Sequence, residues 1–409
     1  MAARSIFLSL TRNAQRDKKI QFRSISSSLE AVKQELITAT HEESVDDFAE
    51  LEKDDLKSRI FRLRLPKRSV TNVLQNWVSD GQKITINDLR SISKDLRRSQ
   101  RYKHALEISE WMVSHDEYDL SDSDYAVRIN LMSQVFGIDA AERYFEALPS
   151  SAKTGETYTA LLHSYAAQKL IEKAEHLFER IKLSNLNLTA VTFNELMTLY
   201  ISAGQLEKVP SVVEEMKRQN VGPDLFTYNL RVSSCAASLK MDEAKKILDE
   251  MSVDPGCCDE SWVRYLKLAK IYIIAGQLEN SGFSSSLVES EKGVVTQREL
   301  ISYDFLIILY GGLGNKDRLD QIWQSLRMTR QKMTGRNYVC VVSSYLMLGH
   351  LREVGEIIEQ WKESATSEFN LSMCNKLLEA FMEVGMTDKT ESFRIVLREK
   401  GCEPLDELR

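Results

Sequence analysis

The feature that most constrains this chain is a phrase that returns about every 35 residues. An aromatic residue opens an apolar stretch, a Gly or polar break comes next, and a second amphipathic stretch closes on Glu-Met or similar, sometimes with Pro-Asp after it. Two copies abut, Ala190 to Asp224 (AVTFNELMTLYISAGQLEKVPSVVEEMKRQNVGPD) and Leu225 to Asp259 (LFTYNLRVSSCAASLKMDEAKKILDEMSVDPGCCD). A unit this small cannot bury a core alone, so it must stack on its neighbours, and such stacks usually grip something long. Function is therefore to be sought along one extended surface.

Inside one unit the period is helical. Phe193, Leu196, Met197, Tyr200 and Ile201 recur at three and four, Gly204 interrupts, and Leu206, Val209, Val212, Val213 and Met216 form a second stripe. Pro210 falls early in that second helix, where a missing N–H is tolerated. Gly222-Pro223-Asp224 ends the unit, and an Asp there can cap the helix of the next unit. The leading aromatics Tyr125, Tyr158, Phe193, Tyr228, Tyr265, Tyr303 and Tyr338 are 33 to 38 residues apart, and Cys374 takes the next such slot. A poorer unit from about Ile86 precedes them, giving about eight units with ragged ends, each a pair of antiparallel helices. The class is all-α.

Residues 1–28 differ from the rest. Arg4, Arg12, Arg16, Lys18, Lys19 and Arg23 stand against a single acid, Asp17, among several Ser and the apolar Ile6, Phe7, Leu8 and Leu10. That is the make-up of an organelle transit peptide, with mitochondrion ahead of chloroplast because FRSISSS (22–28) has the Arg-plus-Ser character of mitochondrial cleavage zones. The whole chain carries a formal charge of −6, so the body without this leader stands near −11. An acidic body is a poor generic ligand for polyanions, and any grip on nucleic acid must come from a local face. No window approaches a membrane span, and no membrane partner is expected.

Residues 29–85 form a lead-in segment, expected to be partly disordered or helical; its acidic stretch 41–60 and the basic residues Lys57 to Arg68 suit a solvated surface. The stretch 280–299 lengthens one unit and suits a longer loop or an altered second helix. Cys235, Cys257, Cys258, Cys340, Cys374 and Cys402 lack CxxC spacing and read as reduced small hydrophobes. The six histidines form no metal-ligand pair, and His104 and His176 read as packed or solvated; neither a metal nor a cofactor is expected.

These units resemble the pentatricopeptide repeat, whose typical run is V-V-T-Y-N-x-L-I…A-G…E-A…F-E-x-M…G-x-x-P-D. VTFNELMTLYISAGQLEK…VVEEMKRQNVGPD and FTYNL…MDEAKKILDEMS carry the likeness, which extends over about residues 86–406. The tryptophan, Leu-Gly and late-Pro pattern of the 34-residue tetratricopeptide repeat is not evident. With no deaminase-like or nuclease-like extension, the chain looks like the plain P-type subgroup and its short plant mitochondrial members. The resemblance implies a right-handed α-solenoid superhelix of helix-turn-helix repeats whose first helices line a groove for single-stranded organellar RNA, one nucleotide per unit. In the family the fifth and last residues of a unit set base preference. These are Asn194 with Asp224, and Asn229 with Asp259, a combination that implies uracil. An amide offers a pyrimidine edge both donor and acceptor; equally, an Asn after an aromatic can bond locally.

Other units depart from that pattern. They offer Thr159 with Thr189, Asp304 with Thr334, Asn375 with Leu405, and the apolar Ala126, Leu266 and Val339, which cannot hydrogen-bond a base edge. Arg90, Lys94, Arg97, Arg98, Arg101 and Lys103, and later Arg327, Arg330, Lys332 and Arg336, suit either phosphate contacts or a solvated face. Trp111, Trp323 and Trp361 lie in second helices and are expected to pack in the core. The leading expectation is a non-catalytic RNA-binding protein acting in RNA processing, stability or translation. Its alternative is a structural subunit of a mitochondrial ribonucleoprotein such as the mitoribosome. No phosphate loop, nucleophile elbow or deaminase signature supports an enzyme.

Overall fold

The computed structural model describes residues 55–63, 69–184, 186–256, 259–276, 291–328, 333–364 and 369–402, with side chains undescribed at 275–276 and 291–299. The leader 1–28, most of the lead-in segment, residues 280–290 of the irregular stretch, Cys257, Cys258, Arg330, Lys332 and Leu405 lie outside them. The described residues hold helices and no strand. None of these helices is long and apolar enough to cross a membrane. Contacts divide the chain into two compact units, one ending at Leu199 and the other running from Tyr200 onward.

The first unit holds α1 (Leu56–Phe61), α2 (Val70–Ser79), α3 (Ile86–Arg98), α4 (Tyr102–Ser114), α5 (Asp122–Phe136), α6 (Ile138–Ala147), α7 (Gly155–Ala167) and α8 (Ile171–Leu183), and most of α9 (Ala190–Ser202). Helices α3–α4, α5–α6 and α7–α8 pair as hairpins, and α5 packs against α7 as successive first helices do in a stack. The lead-in segment joins this core: Leu56 and Ile60 of α1 and Val70 and Leu74 of α2 are buried with Leu89, Ile92, Leu96 and Trp111. The Arg101 guanidinium donates to the carbonyls of Phe61, at 2.9 Å, and Leu63, at 2.5 Å. It thereby satisfies oxygens left open where α1 ends. This stretch is thus not a purely solvated surface, although its charges suggest one.

The second unit holds α10 (Val209–Arg218), α11 (Leu225–Ala237), α12 (Met241–Ser252), α13 (Glu260–Gly276), α14 (Glu291–Gly312), α15 (Lys316–Met328), α16 (Gly335–Leu348), α17 (Leu351–Lys362), α18 (Leu371–Glu383) and α19 (Thr387–Glu399). Here first helices touch partners beyond their sequence neighbours: α11 packs on α14, and α13 packs on α14, α16 and α18. Helix α16 is consequently buried on every side from Gly335 to Met347. That is how an interior helix presents itself, rather than the one-faced helix of a loosely wound stack. Trp323 and Trp361 flank Tyr338, the latter ring stacked on it at 5.3 Å, so these indoles pack in the core as Trp111 does in the first unit.

Repeat boundaries are set by local chemistry that recurs. First helices begin at a hydroxyl or short acid: Thr85 with Asp88, Ser121 with Asp124, Thr154 with Thr157, Asp224 with Thr227 and Thr334 with Asn337 each form a reciprocal capping box. First helices end at a left-handed residue in a fixed slot, Gln100, Lys169, Gly204, Leu239, Gly314, Gly349 and Gly385. The N–H of the next residue then reaches back five residues, as from Lys240 to Cys235 O at 2.9 Å and from His350 to Tyr345 O at 3.0 Å. This closure satisfies two orphan carbonyls and reverses the chain into the second helix.

Candidate nucleic-acid interface

The fifth residue of a first helix is where the resemblance puts base reading, and in this structure it reaches the next first helix. Arg90 forks onto Asp124, Nε donating to Oδ1 at 3.1 Å and Nη2 to Oδ2 at 2.6 Å. Thr159 Oγ1 and Thr192 Oγ1 are 2.7 Å apart. Tyr265 Oη donates to Asn229 Oδ1 at 3.3 Å. Asn337 Nδ2 donates to Asp304 Oδ1 at 2.7 Å. Arg90, Thr159 and Asn229 are fifth in their helices and Asp304 is fifth in the unit from Leu300; of their partners, Asp124, Thr192 and Asn337 are third in their helices and Tyr265 is sixth. Within each unit these polar side chains link adjacent first helices like rungs of a ladder.

These side chains differ in burial. Arg90 keeps a partly exposed guanidinium, whereas Asn194 is 0% and Asn229 2% exposed. Asp304 is fully enclosed; its Oδ2 accepts from Tyr272 Oη at 2.8 Å, Arg336 Nε lies 3.7 Å from the same oxygen, and Cys340 Sγ donates to its main-chain carbonyl at 3.3 Å. Enclosure drives the Tyr265 and Tyr272 hydroxyls and the Cys340 thiol upward in pKa, so all three are neutral donors. Near the chain start, burial pushes the Asp124 carboxyl upward. The hydrogen bonds from Arg90 and Ser121 outweigh it and hold the group below the usual carboxylate range.

The four residues singled out for base reading fall into two kinds of place. Asn194 and Asn229 are interior side chains of α9 and α11. Asp224 and Asp259 sit just ahead of α11 and α13, where Asp224 Oδ1 accepts from Thr227 N at 2.7 Å and Asp259 Oδ1 from Trp262 N at 2.9 Å. The last residue of a unit is thus the N-cap of the next first helix. Of the other candidates, Thr159 and Asp304 join the ladder, while Val339 is buried among apolar neighbours. Spacing alone does not expose the partners Asp124, Thr192, Tyr265 and Asn337, although Asp124, Thr192 and Asn337 share the third position of the next helix, a signal that could have found those three.

Three cations of the early basic cluster, Arg90, Lys94 and Arg97, line one face of α3 and border a cleft of about 330 Å³ shared with α4, α5 and α6. Arg101 instead ties down α1, and Arg336 is buried beside Asp304. Cys340, Cys374 and Cys402 are buried free thiols, and no metal-holding group of His, Cys, Asp or Glu occurs among the described residues.

Tandem two-helix units of this length, capped and reversed at the same slots, define an all-α repeat protein. Profiles described as PPR repeat family, pentatricopeptide repeat domain and PPR repeat match residues 188–237, 154–203 and 226–254. A pentatricopeptide repeat-containing protein of Arabidopsis thaliana named as mitochondrial is 54% identical over 352 residues, covering 86% of this chain and 85% of that one. Another so named from the same plant is 31% identical over 347 residues, covering 85% and 70%. The chain belongs to the pentatricopeptide repeat family. The crystal structure of the pentatricopeptide repeat protein PPR10 in complex with an 18-nt psaJ RNA element aligns over 98% of this chain and 64% of that one, at 14% identity and a TM-score of 0.28. So low a score places no residue.

Proposed function

We propose that this chain is a P-type pentatricopeptide repeat protein that binds single-stranded, U-containing RNA in the mitochondrion and acts in RNA processing, stability or translation without catalysis of its own. Residues 1–28 serve as the transit peptide, 29–85 as the lead-in and 86–406 as the repeat array. Family membership supports the ligand class, since such repeats present one base to each helical unit. The observation that carries the reading is the shared register of Asn194 and Asn229 in two abutting units that match the family profiles. Asp224 and Asp259 orient those amides or bind through water. The name of the 54%-identical relative supports the compartment.

Because both amides are interior, a base reaches them only when neighbouring first helices part. At Asn229 the edge of the base then replaces the hydroxyl of Tyr265. Such an exchange costs little in hydrogen bonds and couples binding to a shape change. The test is equilibrium binding of a U-rich single strand and of its U-to-A counterpart. Asn194→Ala and Asn229→Ala are each expected to weaken the U-rich strand by about tenfold and to narrow the gap between the strands. If both variants bind every strand as the parent does, the face is wrong.

A second reading, a structural subunit of a mitochondrial ribonucleoprotein such as the mitoribosome, is favoured by the burial of Asn194, Asn229 and Asp304. Co-migration with ribosomal subunits through a high-salt wash supports it; sedimentation as a free protein argues against it.

A further inference from the structure

We infer that Tyr265 is an autoinhibitory residue: its hydroxyl occupies the Asn229 amide in the closed protein and sets the threshold that a base must exceed to bind there. The identity of the ligand rests on the RNA-binding reading, while the contact stands on geometry alone. Both residues belong to the second unit, Asn229 on α11 and Tyr265 on α13. A primary amide brings two N–H donors and a carbonyl acceptor. Here Oδ1 accepts from Tyr265 Oη at 3.3 Å, longer than the roughly 2.7–2.8 Å usual for an O–H···O bond. No group among the described residues accepts from Asn229 Nδ2. The side chain is nevertheless only 2% exposed. Buried polar groups are nearly always paired, so an amide held by one long bond is open to a better partner.

The edge of uracil is such a partner. Its ring N–H replaces the tyrosine hydroxyl at Oδ1 while a flanking carbonyl accepts from Nδ2, and one long bond is exchanged for two. Tyr265 cannot step aside by turning its ring. It is wholly enclosed, and α14 comes so close that a Cβ at Gly312 would lie 2.7 Å from Tyr265 Cβ. Arg264 Nε, donating to the Gly312 carbonyl at 2.9 Å, ties α13 to α14 at that point. Packing of this density leaves the ring one position, so hydroxyl and amide separate only as α11 draws off α13. Enclosure also raises the pKa of the hydroxyl, which therefore stays a neutral donor at ordinary pH. Tyr265 thus competes with the ligand in every closed molecule, and the apparent affinity falls with the fraction held closed.

The experiment measures binding of the U-rich single strand to the full chain, to Tyr265→Phe, to Asn229→Ala and to the double variant, with melting recorded alongside to confirm folding. Tyr265→Phe keeps the ring and removes only the competing donor. It is expected to bind about three- to tenfold more tightly than the parent, the effect of deleting one hydrogen bond from the closed state. In the Asn229→Ala background the same change is expected to move affinity by less than about twofold, because its partner is gone. Tyr228→Phe is the matched control: it deletes another enclosed hydroxyl of this unit, one that donates to Asp254 Oδ2 at 2.8 Å. Its affinity is expected to stay within about twofold of the parent. Unchanged or weaker binding by folded Tyr265→Phe, an equal gain in both backgrounds, or an equal gain in Tyr228→Phe each overturns the inference. The two readings fail differently. If the RNA-binding reading is wrong, the parent does not hold the strand and both fall; if the inference alone is wrong, Asn229→Ala weakens binding while Tyr265→Phe gains nothing.

Discussion

A methyl group added at Gly312 would lie 2.7 Å from Cβ and 2.9 Å from Cα of Tyr265, so α14 approaches α13 at a point where only hydrogen fits. Arg264 Nε donates to the Gly312 carbonyl at 2.9 Å across the same contact. Gly312→Ala adds helix propensity worth about 1 kcal/mol, but the obstructing atoms are main chain or next to it and cannot swing aside. The crowding term wins, and the variant is expected to lose about 1–3 kcal/mol, read as a fall in the urea midpoint. An unchanged or raised midpoint would show that the contact is slack. This site also marks what single residues disclose before folding. Asn194 and Asn229 are legible as a pair because they repeat at one register, and Asp224 is legible as a cap because it precedes an apolar run. The Tyr265 hydroxyl on Asn229 and the Tyr272, Arg336 and Asn337 groups around Asp304 are not, since they join helices 32 to 36 residues apart in sequence.

At the scale of the element, the turn between paired helices is the most uniform device in the chain. Gly349 occupies its left-handed slot at φ +80°, while Leu239 occupies the equivalent slot at φ 60°. A side chain there brings Cβ against the next carbonyl and costs roughly 1–2 kcal/mol. Gly349→Ala is therefore expected to lower stability by about 1 kcal/mol and Leu239→Gly to raise it by less than that, since Leu239 is 44% exposed and forfeits part of its packing. Thermal melting of the two variants checks the pair; shifts in the same direction would contradict the assignment. The two helical stripes 193–201 and 206–216 are readable from their period, with one difference of detail. Leu206–Lys208 is a 3₁₀ turn, and the α-helix starts at Val209 with Pro210 in its first turn, where the ring fits and no donor is lost. The lead-in helices are less readable. In α1 only Leu56, Ile60 and Phe61 are apolar, and they pack in a cluster that α2, α3 and α4 complete later in the chain.

For the molecule as a whole, the RNA-binding reading makes charge decide how a strand is held. Most non-specific affinity for nucleic acid comes from phosphates displacing counterions, and it falls steeply as salt rises. This body is acidic, near −11 without residues 1–28, and many of its cations are committed to carboxylates, as Lys173 is to Glu142, Arg180 to Glu146 and Arg231 to Glu250. Few phosphates can then be neutralised. For single strands each neutralised phosphate contributes about −0.7 to the slope of log K against log salt, so two or three give a slope near −2. The chain lacking residues 1–28 is expected to show that shallow slope on a U-rich strand, with duplex DNA bound far more weakly. Restoring the leader adds six basic residues and steepens the slope without improving discrimination between strands. A slope steeper than about −4 in the leaderless chain, or equal affinity for the duplex, would mean that binding is a generic response to polyanions and that the first-helix row does not choose its ligand.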